Sequence, residues 1–435
     1  MAQPVIVQET SLRQFSVALV SVFSLPQWKY FVTVLLGLLH CDGSRTLSGI
    51  LRQVACSVTL SGLSRFLSEA PWSVQALTLA RQHRFNQQVA DEVSQAHRQQ
   101  RAARAQRPGR PAQTVVTGYL VMDDSTHVKR YATAMAGQGW HYSSSDGCQM
   151  PGHSLFQAVY CLLGRQLPLT PQLYRQQAVC EREEAPFQSK VKMAVQTVET
   201  FEPPPDTHTH VLVDSWSLNR QLWRASRRRS WDITGGLKAN RCLRQTLTNG
   251  ERVWVTVADY AATLTPTDFQ AVCWPNQQGG ETVYAHLVRT QIKKLGAAQV
   301  LIVKPTPDAP LSQWRFWATS RLTDPMDQVV ATVAQRWSIE VLFADFKELL
   351  GSDHYQLRSA QAIVRFWALA LCLYHYLDEQ RSLLQCQRQA HVSLGEVRTY
   401  VRQRHADLLV AWLWHQFAAG RTPEQLRPVL APAMV

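Results

Sequence analysis

Residues Thr114–Thr126 read TVVTGYLVMDDST, a nearly unbroken β-branched and apolar run that closes on Asp123 and Asp124. Such a run without alternation predicts a strand covered on both faces, the kind buried inside α/β sheets. Downstream, His153–Leu163 is a second buried-type run and Gln172–Arg175 closes a third strand. Lys190–Phe201 has helical spacing, His210–Val213 is a fourth strand ending at Asp214, and Ser217–Arg229 reads as a helix. Strand, strand, strand, helix, strand, helix is the order of an α/β fold with a mixed sheet. From Asp232 to Arg321 strand signals dominate, at Arg252–Ala258, Thr282–Gln291, Val300–Val303 and Trp314–Ser320, with Gly and Pro between them. Helical spacing resumes at about Pro325, runs through Leu350, and returns from Ser359 to Leu377 before an Arg-rich helical tail.

Upstream of the first strand, residues 10–90 read as mostly helical, with Pro26 starting a helix that runs to Leu39. Thr46–Ala55 and Thr59–Glu69, separated at Cys56–Ser57, suit either a helix-turn-helix or an ordinary packed pair. The stretch 93–113 carries Arg98, Arg101, Arg104, Arg107 and Arg110, with no acid between Glu92 and Asp123. Pro108, Gly109 and Pro111 then break the pattern, so a basic helix end feeds a linker that marks a domain boundary.

The 435 residues hold 45 basic and 32 acidic side chains, a net charge of +13, and arginine outnumbers lysine about fourfold. A hydrophobic content of 46% excludes disorder. A basic, arginine-rich chain points first to nucleic acid and second to an anionic membrane surface. Tyr30–Leu39 and Ala360–Leu377, the latter interrupted by Arg365, fall short of the ~18–20 uncharged residues of a spanning helix, so no membrane partner is expected. The opening MAQPVIVQET lacks the basic and apolar regions of a secretory signal. Nine scattered cysteines without a CxxC suit a reduced, cytoplasmic protein and favour neither zinc nor disulfides.

Three carboxylates stand out by placement. Asp124 and Asp214 close buried strands, in VMDDST and VLVDSW, and strand ends are where α/β sheets place ligands. Glu340 lies inside RWSIEVLFADFKELLG, where an acid among apolar residues needs a partner or a metal. Two aspartates and a glutamate form a hard-oxygen set of the kind Mg²⁺ prefers. Two such ions ~3.5–4 Å apart can activate a nucleophile and stabilise the leaving oxygen of a phosphodiester.

With those residues in place, the sequence resembles the bacterial insertion-sequence DDE transposases of the cut-and-paste type. The subgroup carries a Tyr–Arg–Glu–Lys signature, matched in its last three members by Arg336, Glu340 and Lys347; Val333 stands at the tyrosine position. RWSIEVLFADFKELLGSDHYQLRS matches the family's third-carboxylate helix, VLVDSW its second-carboxylate strand and MDDST its first. The resemblance covers about residues 20–380. It implies an RNase H-like mixed-sheet core interrupted by a β-rich insertion, with Asp124, Asp214 and Glu340 as the triad holding two Mg²⁺ ions, or Mn²⁺. The family's first carboxylate directly precedes Ser or Thr, which selects Asp124 over Asp123. Arg336 and Lys347 would contact DNA phosphates, and helical spacing from Glu340 puts all three on one face. In relatives an aromatic of the insertion stacks on a flipped base; Trp314 or Trp317 would do so here, with Arg315 on the backbone. Arg227 and Arg228, within LWRASRRRSW, and Arg104 and Arg107 of the linker complete the expected phosphate contacts.

The expected organisation is a helical DNA-binding region with basic linker over 1–112, the core over 113–231, a β-rich insertion over 232–323, the glutamate helix over 324–380 and a helical tail over 381–435. The resemblance implies a transposase acting on double-stranded DNA, terminal inverted repeats and target, as a homodimer on paired ends with the tail as a subunit contact. It places the protein in the bacterial cytoplasm, associated with the nucleoid. Two rivals stay open: a decayed or domesticated DNA-binding descendant, which Val333 allows, and an RNase H-like nuclease without strand transfer.

Overall fold

The computed structural model describes residues 10–55, 58–105, 115–275 and 279–430, of 103–105 the backbone only. The chain opens with helices α1 (Thr10–Val17), α2 (Leu25–His40), α3 (Leu47–Leu51), α4 (Leu60–Ser68) and the long α5 (Val74–Ala105). Side chains of Thr46 and Thr59 cap the first turns of α3 and α4, and at the start of α2 Ser24 N–H donates to Gln27 Oε1. Strands β1 (Val116–Val128), β2 (Gly139–Ser143), β3 (Cys148–Leu162), β4 (Arg165–Pro168) and β5 (Gln172–Tyr174) follow. Then come α6 (Gln177–Arg182), α7 (Lys190–Thr200), β6 (Thr207–Val213), α8 (Arg220–Arg228) and β7 (Asp232–Gly236).

Strand β1 pairs antiparallel with β3 and parallel with β6, and β6 pairs parallel with β7. A long antiparallel hairpin partner on one side of the first strand and two parallel strands on the other is the RNase H-like arrangement. The mixed α/β class and core expected from the sequence are therefore those observed. β7 is the last strand of this core, so the insertion begins after Gly236 and not at 232. A strand that ends the parallel core cannot be told by composition from one that opens an insertion.

The insertion holds β8 (Cys242–Thr246), β9 (Arg252–Thr256), α9 (Val257–Ala262), β10 (Gln270–Trp274), β11 (Glu281–Ile292), β12 (Gly296–Lys304) and β13 (Arg315–Thr319). It is antiparallel throughout, and β13 pairs with β7, which joins insertion and core into one continuous sheet. The chain then returns through α10 (Met326–Ala334), α11 (Trp337–Glu348), α12 (Ala360–Arg388), α13 (Leu394–Ala418) and α14 (Pro423–Leu430). The helical stretch expected over 325–350 is two helices. At the junction Arg336 and Ile339 donate to the carbonyls three residues back, so a tight turn replaces one round of α-helix.

Both faces of the core sheet are covered. On one face Val121, Leu155, Val159 and Leu212 pack with Ile339, Leu342, Phe343 and Phe346 of α11 and with α12. On the other, Leu120, Met122, Phe156, Val211 and Val213 pack with Met193 and Val198 of α7 and Leu222 of α8. Each fully buried side chain of this size contributes roughly 1.5–3 kcal/mol of transfer free energy. Helix α12 is long and apolar enough to cross a membrane by length and composition, but its apolar window is largely buried inside the protein. The boundary expected at 380 falls within it. Its Arg365 is 3% exposed and donates to Leu67 O, Ala70 O and Trp72 O, satisfying carbonyls in the last turn of α4 and just past it. The α3–α4 pair thus packs onto the core as a helical layer.

Candidate active site

Strand β1 does not stop at the aspartates; it runs five residues beyond Asp123, to Val128. Asp123 and Asp124 are therefore mid-strand neighbours, and the pleat sends them to opposite faces. Asp123 shares the face of Val121, under α11. Asp124 shares the face of Met122, toward α7, where its carboxylate accepts from Lys190 Nζ at 2.5 Å. Register places Met122 beside Val213, so Asp123 lies next to Asp214 across the parallel pair. Leu212 packs on the α11 side, and two residues on Asp214 falls on that side as well.

The third carboxylate arrives from above. Arg336, which caps α11, donates to Asp123 Oδ2 at 3.3 Å and to Glu340 Oε1 at 3.2 Å. Asp123, Asp214, Arg336 and Glu340 thus form one cluster. The structure corrects the choice of Asp124: the carboxylate that joins Asp214 and Glu340 is Asp123, and Asp124 is tied to the opposite face.

The electrostatics of the cluster mark Asp123. Burial, then the negative charge of Asp214, push its carboxyl up to about 7, opposed by the Asp124 backbone N–H and by Arg336. Asp214 is held by its own loop: Trp216 N–H and Ser217 N–H donate to its two oxygens at 3.1 and 2.8 Å. Acidic oxygens in negative surplus are the donor set a hard divalent cation satisfies. Among the described residues no three acidic, histidine or cysteine side chains stand close enough together to chelate an ion as they are. The Arg336 guanidinium supplies the positive charge between Asp123 and Glu340 instead. The three carboxylates fit a divalent metal in the chemistry of their donors, and a metal bound there would have to displace the Arg336 contact to Glu340.

Lys347 donates from Nζ to Thr126 O at 3.1 Å, and burial lowers its pKa. It leans on β1 at the far end of α11 rather than projecting into solvent. Val333, at the family's tyrosine position, is 2% exposed and packs with Val283, Leu301 and Val303 of the insertion. Its role there is apolar packing of α10 on the sheet.

Of the two insertion aromatics, the structure sets Trp314 aside. Its Nε1 donates to Ala309 O at 2.8 Å and its ring packs edge-on against Phe269. Trp317 instead lines a cavity of about 460 Å³ with Trp274, Glu281, Val333, Arg336 and Trp337. Its buried Nε1 has no hydrogen-bond partner among the described residues. Arg315, two residues before it on β13, is exposed. Trp337 is 59% exposed beside Arg336, and neither it nor Trp274 stood out in the sequence reading. The adjacency of Trp337 to Arg336 was the available signal; nothing local marks Trp274, whose strand reaches the cavity through pairing with β11.

The arginines of α8 are exposed but each has an acidic partner. Arg227 pairs with Asp232 at 3.1 Å and Arg228 with Glu199 at 2.7 Å. Asp232 opens β7 opposite His210, four residues before Asp214, so the patch lies at the sheet end away from the carboxylates. Arg104 sits at the end of α5 with its side chain outside the described residues, and Arg107 lies outside them altogether.

Residues 188–375 match the family described as "Transposase DDE domain". The match begins just before α7 and includes Asp214, the insertion, Glu340 and most of α12. No curated protein matches the sequence. Among solved structures, a piggyBac transposase synaptic complex with hairpin DNA, determined by cryo-EM, aligns with a TM-score of 0.42 at 9% identity. The alignment covers 73% of this chain and 58% of that one, so the chain spans less than two thirds of that protein's length. The family match over residues 188–375 and the resemblance carried by Arg336, Glu340 and Lys347 agree: this part of the chain is similar to the transposase DDE domain.

Proposed function

We propose that this chain is a transposase that binds the terminal inverted repeats of a DNA element, cuts them by metal-dependent hydrolysis and joins the freed 3′-hydroxyls to target DNA. The observation that carries the reading is the convergence of Asp123, Asp214 and Glu340 around Arg336 on one face of an RNase H-like sheet. Asp123, Asp214 and Glu340 would hold the metal, Mg²⁺ or Mn²⁺, two ions in the full site. When bound, the metal lowers the pKa of an attacking water or hydroxyl and stabilises the leaving 3′-oxygen. Each step makes one P–O bond and breaks another: water displaces a 3′-oxygen in cutting, and the 3′-hydroxyl displaces one in joining. Neither step needs ATP or a covalent enzyme intermediate.

The chain's own residues position the strand. Arg336 is shared between carboxylates and, with DNA present, its guanidinium would donate to a phosphate. The tryptophan-lined cavity beside it has the size to take a base turned out of the duplex. Arg315 adds positive charge along the same approach, and the basic linker, including Arg104 and Arg107, supplies phosphate contacts to the repeat. Pairing of two ends by a homodimer, with α13 as a contact, completes the reading; Val410, Trp414 and Phe417 leave an exposed apolar face there. The work would take place in the cytoplasm, on nucleoid DNA.

The test is nicking of a plasmid that carries the DNA bordering the coding region. Mg²⁺-dependent 3′-hydroxyl ends at the repeat boundary are expected, followed by joining to a second plasmid. Binding without any nicking would select the non-catalytic reading, and nicking without joining the simple nuclease.

A further inference from the structure

Immediately after Asp214 the chain presents Trp216, 79% exposed. Most large aromatics of this protein are buried or half-buried, so an indole left in water beside a reactive carboxylate calls for an explanation. Its backbone is fixed: Trp216 N–H donates to Asp214 Oδ2, and the next N–H donates to Oδ1. The loop is pressed onto β7 by two glycines. A Cβ on Gly235 would come within 2.8 Å of Val213 Cγ2, and one on Gly236 within 2.9 Å of Ser215 N. This contact carries Lys238, two residues beyond Gly236, to the indole, with Nζ 3.5 Å from the ring centroid. Among the described residues Lys238 forms no ion pair; the ring is its partner. Gly236 is also the register partner of Trp317, so this pair and the tryptophan-lined cavity occupy adjoining strands on the side of the carboxylates.

We infer that Trp216 and Lys238 form a second nucleotide-binding element, which stacks an unpaired base of the DNA strand on the indole and pairs its phosphate with the ammonium. The inference rests on the transposase reading for its substrate. The chemistry is that of single-strand grips: a flat π surface stacks on any base, and an adjacent cation holds the backbone. A paired base inside a duplex cannot use it, because both its faces are already stacked. The element would therefore recognise frayed or unpaired nucleotides next to the cut, and not duplex sequence.

The experiment uses the full chain with Glu340→Gln, so that nothing is cut, and two probes: a labelled 20-mer single strand and the same sequence as a blunt duplex. Trp216→Ala should weaken single-strand binding about tenfold or more and leave duplex binding within about twofold. Trp216→Phe should restore most of the loss, and 2-aminopurine in the single strand should be quenched by the parent and the Phe variant but not by the Ala variant. Lys238→Ala should weaken the single strand and flatten its salt dependence by about one phosphate contact. Equal single-strand affinity and quenching in the parent and Trp216→Ala would overturn the proposal. Because the ring is exposed, melting temperatures of the variants should match the parent, which separates lost stacking from lost fold. Plasmid nicking by the chain with Glu340 intact reads the transposase assignment separately: no nicking with Trp216-dependent binding sinks only that assignment, and nicking with Trp216-independent binding sinks only this one.

Discussion

The two faces of β1 carry adjacent aspartates into opposite circumstances. Asp123 is half-buried beside a second carboxylate, with one arginine shared between it and Glu340. Asp124 is 37% exposed, with Lys190 to itself. On the second face the charges balance one to one, which is how an acid serves structure. On the first, negative charge is in excess and held out of water, which is how a site is left in need of a cation. Position along the chain differs by one residue; side of the sheet decides the chemistry.

The contrast breaks most sharply under substitution. Asp123→Ala, Asp214→Ala and Glu340→Ala should each reduce plasmid nicking by about a thousandfold or more while DNA binding persists, as expected when a metal site is lost. Asp124→Ala should keep nicking within about tenfold. A dead Asp124→Ala with an active Asp123→Ala would reverse the assignment. Arg336→Ala comes next, with nicking and DNA affinity down about 10–100-fold, and Arg336→Lys recovering only part because an ammonium lacks the guanidinium fork. In the same variant Asp123 and Glu340 lose their counter-charge, so Mn²⁺ should raise its melting temperature more than it raises that of the parent. An equal shift would show that Arg336 does not stand in for the metal.

A smaller effect is expected in stability against pH, measured in chelator. Asp123 has its carboxyl raised in the folded state, from an ordinary value of 3.8 to about 7. The folded chain then holds a proton that the unfolded chain has released, so this contribution is fully present below about pH 4 and is lost as pH rises through about 7. The loss should be roughly 1–3 kcal/mol and should vanish in Asp123→Asn. An identical pH profile in the two proteins would remove the electrostatic argument for Asp123. The smallest effect belongs to the other face: Lys190→Ala breaks a half-exposed ion pair and should cost under about 1 kcal/mol, with nicking retained.

The sequence by itself determined the α/β order, the strand ending at Asp214, and a helix on which Arg336 and Glu340 stand four apart. These are local properties, set by side-chain periodicity and by chain direction. It also gave a basic surface and a helix carrying Glu340, from which the family resemblance follows. Only the tertiary structure chose Asp123 over Asp124. Both faces of β1 are apolar because helices cover both, so the hydrophobic pattern is silent about which face meets α11. It likewise chose Trp317 over Trp314, since one indole is capped by Ala309 and the other opens into a cavity built from three distant segments. And it set the exposed arginines of α8 beside Asp232 and Glu199, pairs that only folding brings together. Composition counts charges; which of them remain free to meet a phosphate depends on partners distant in sequence and adjacent in space.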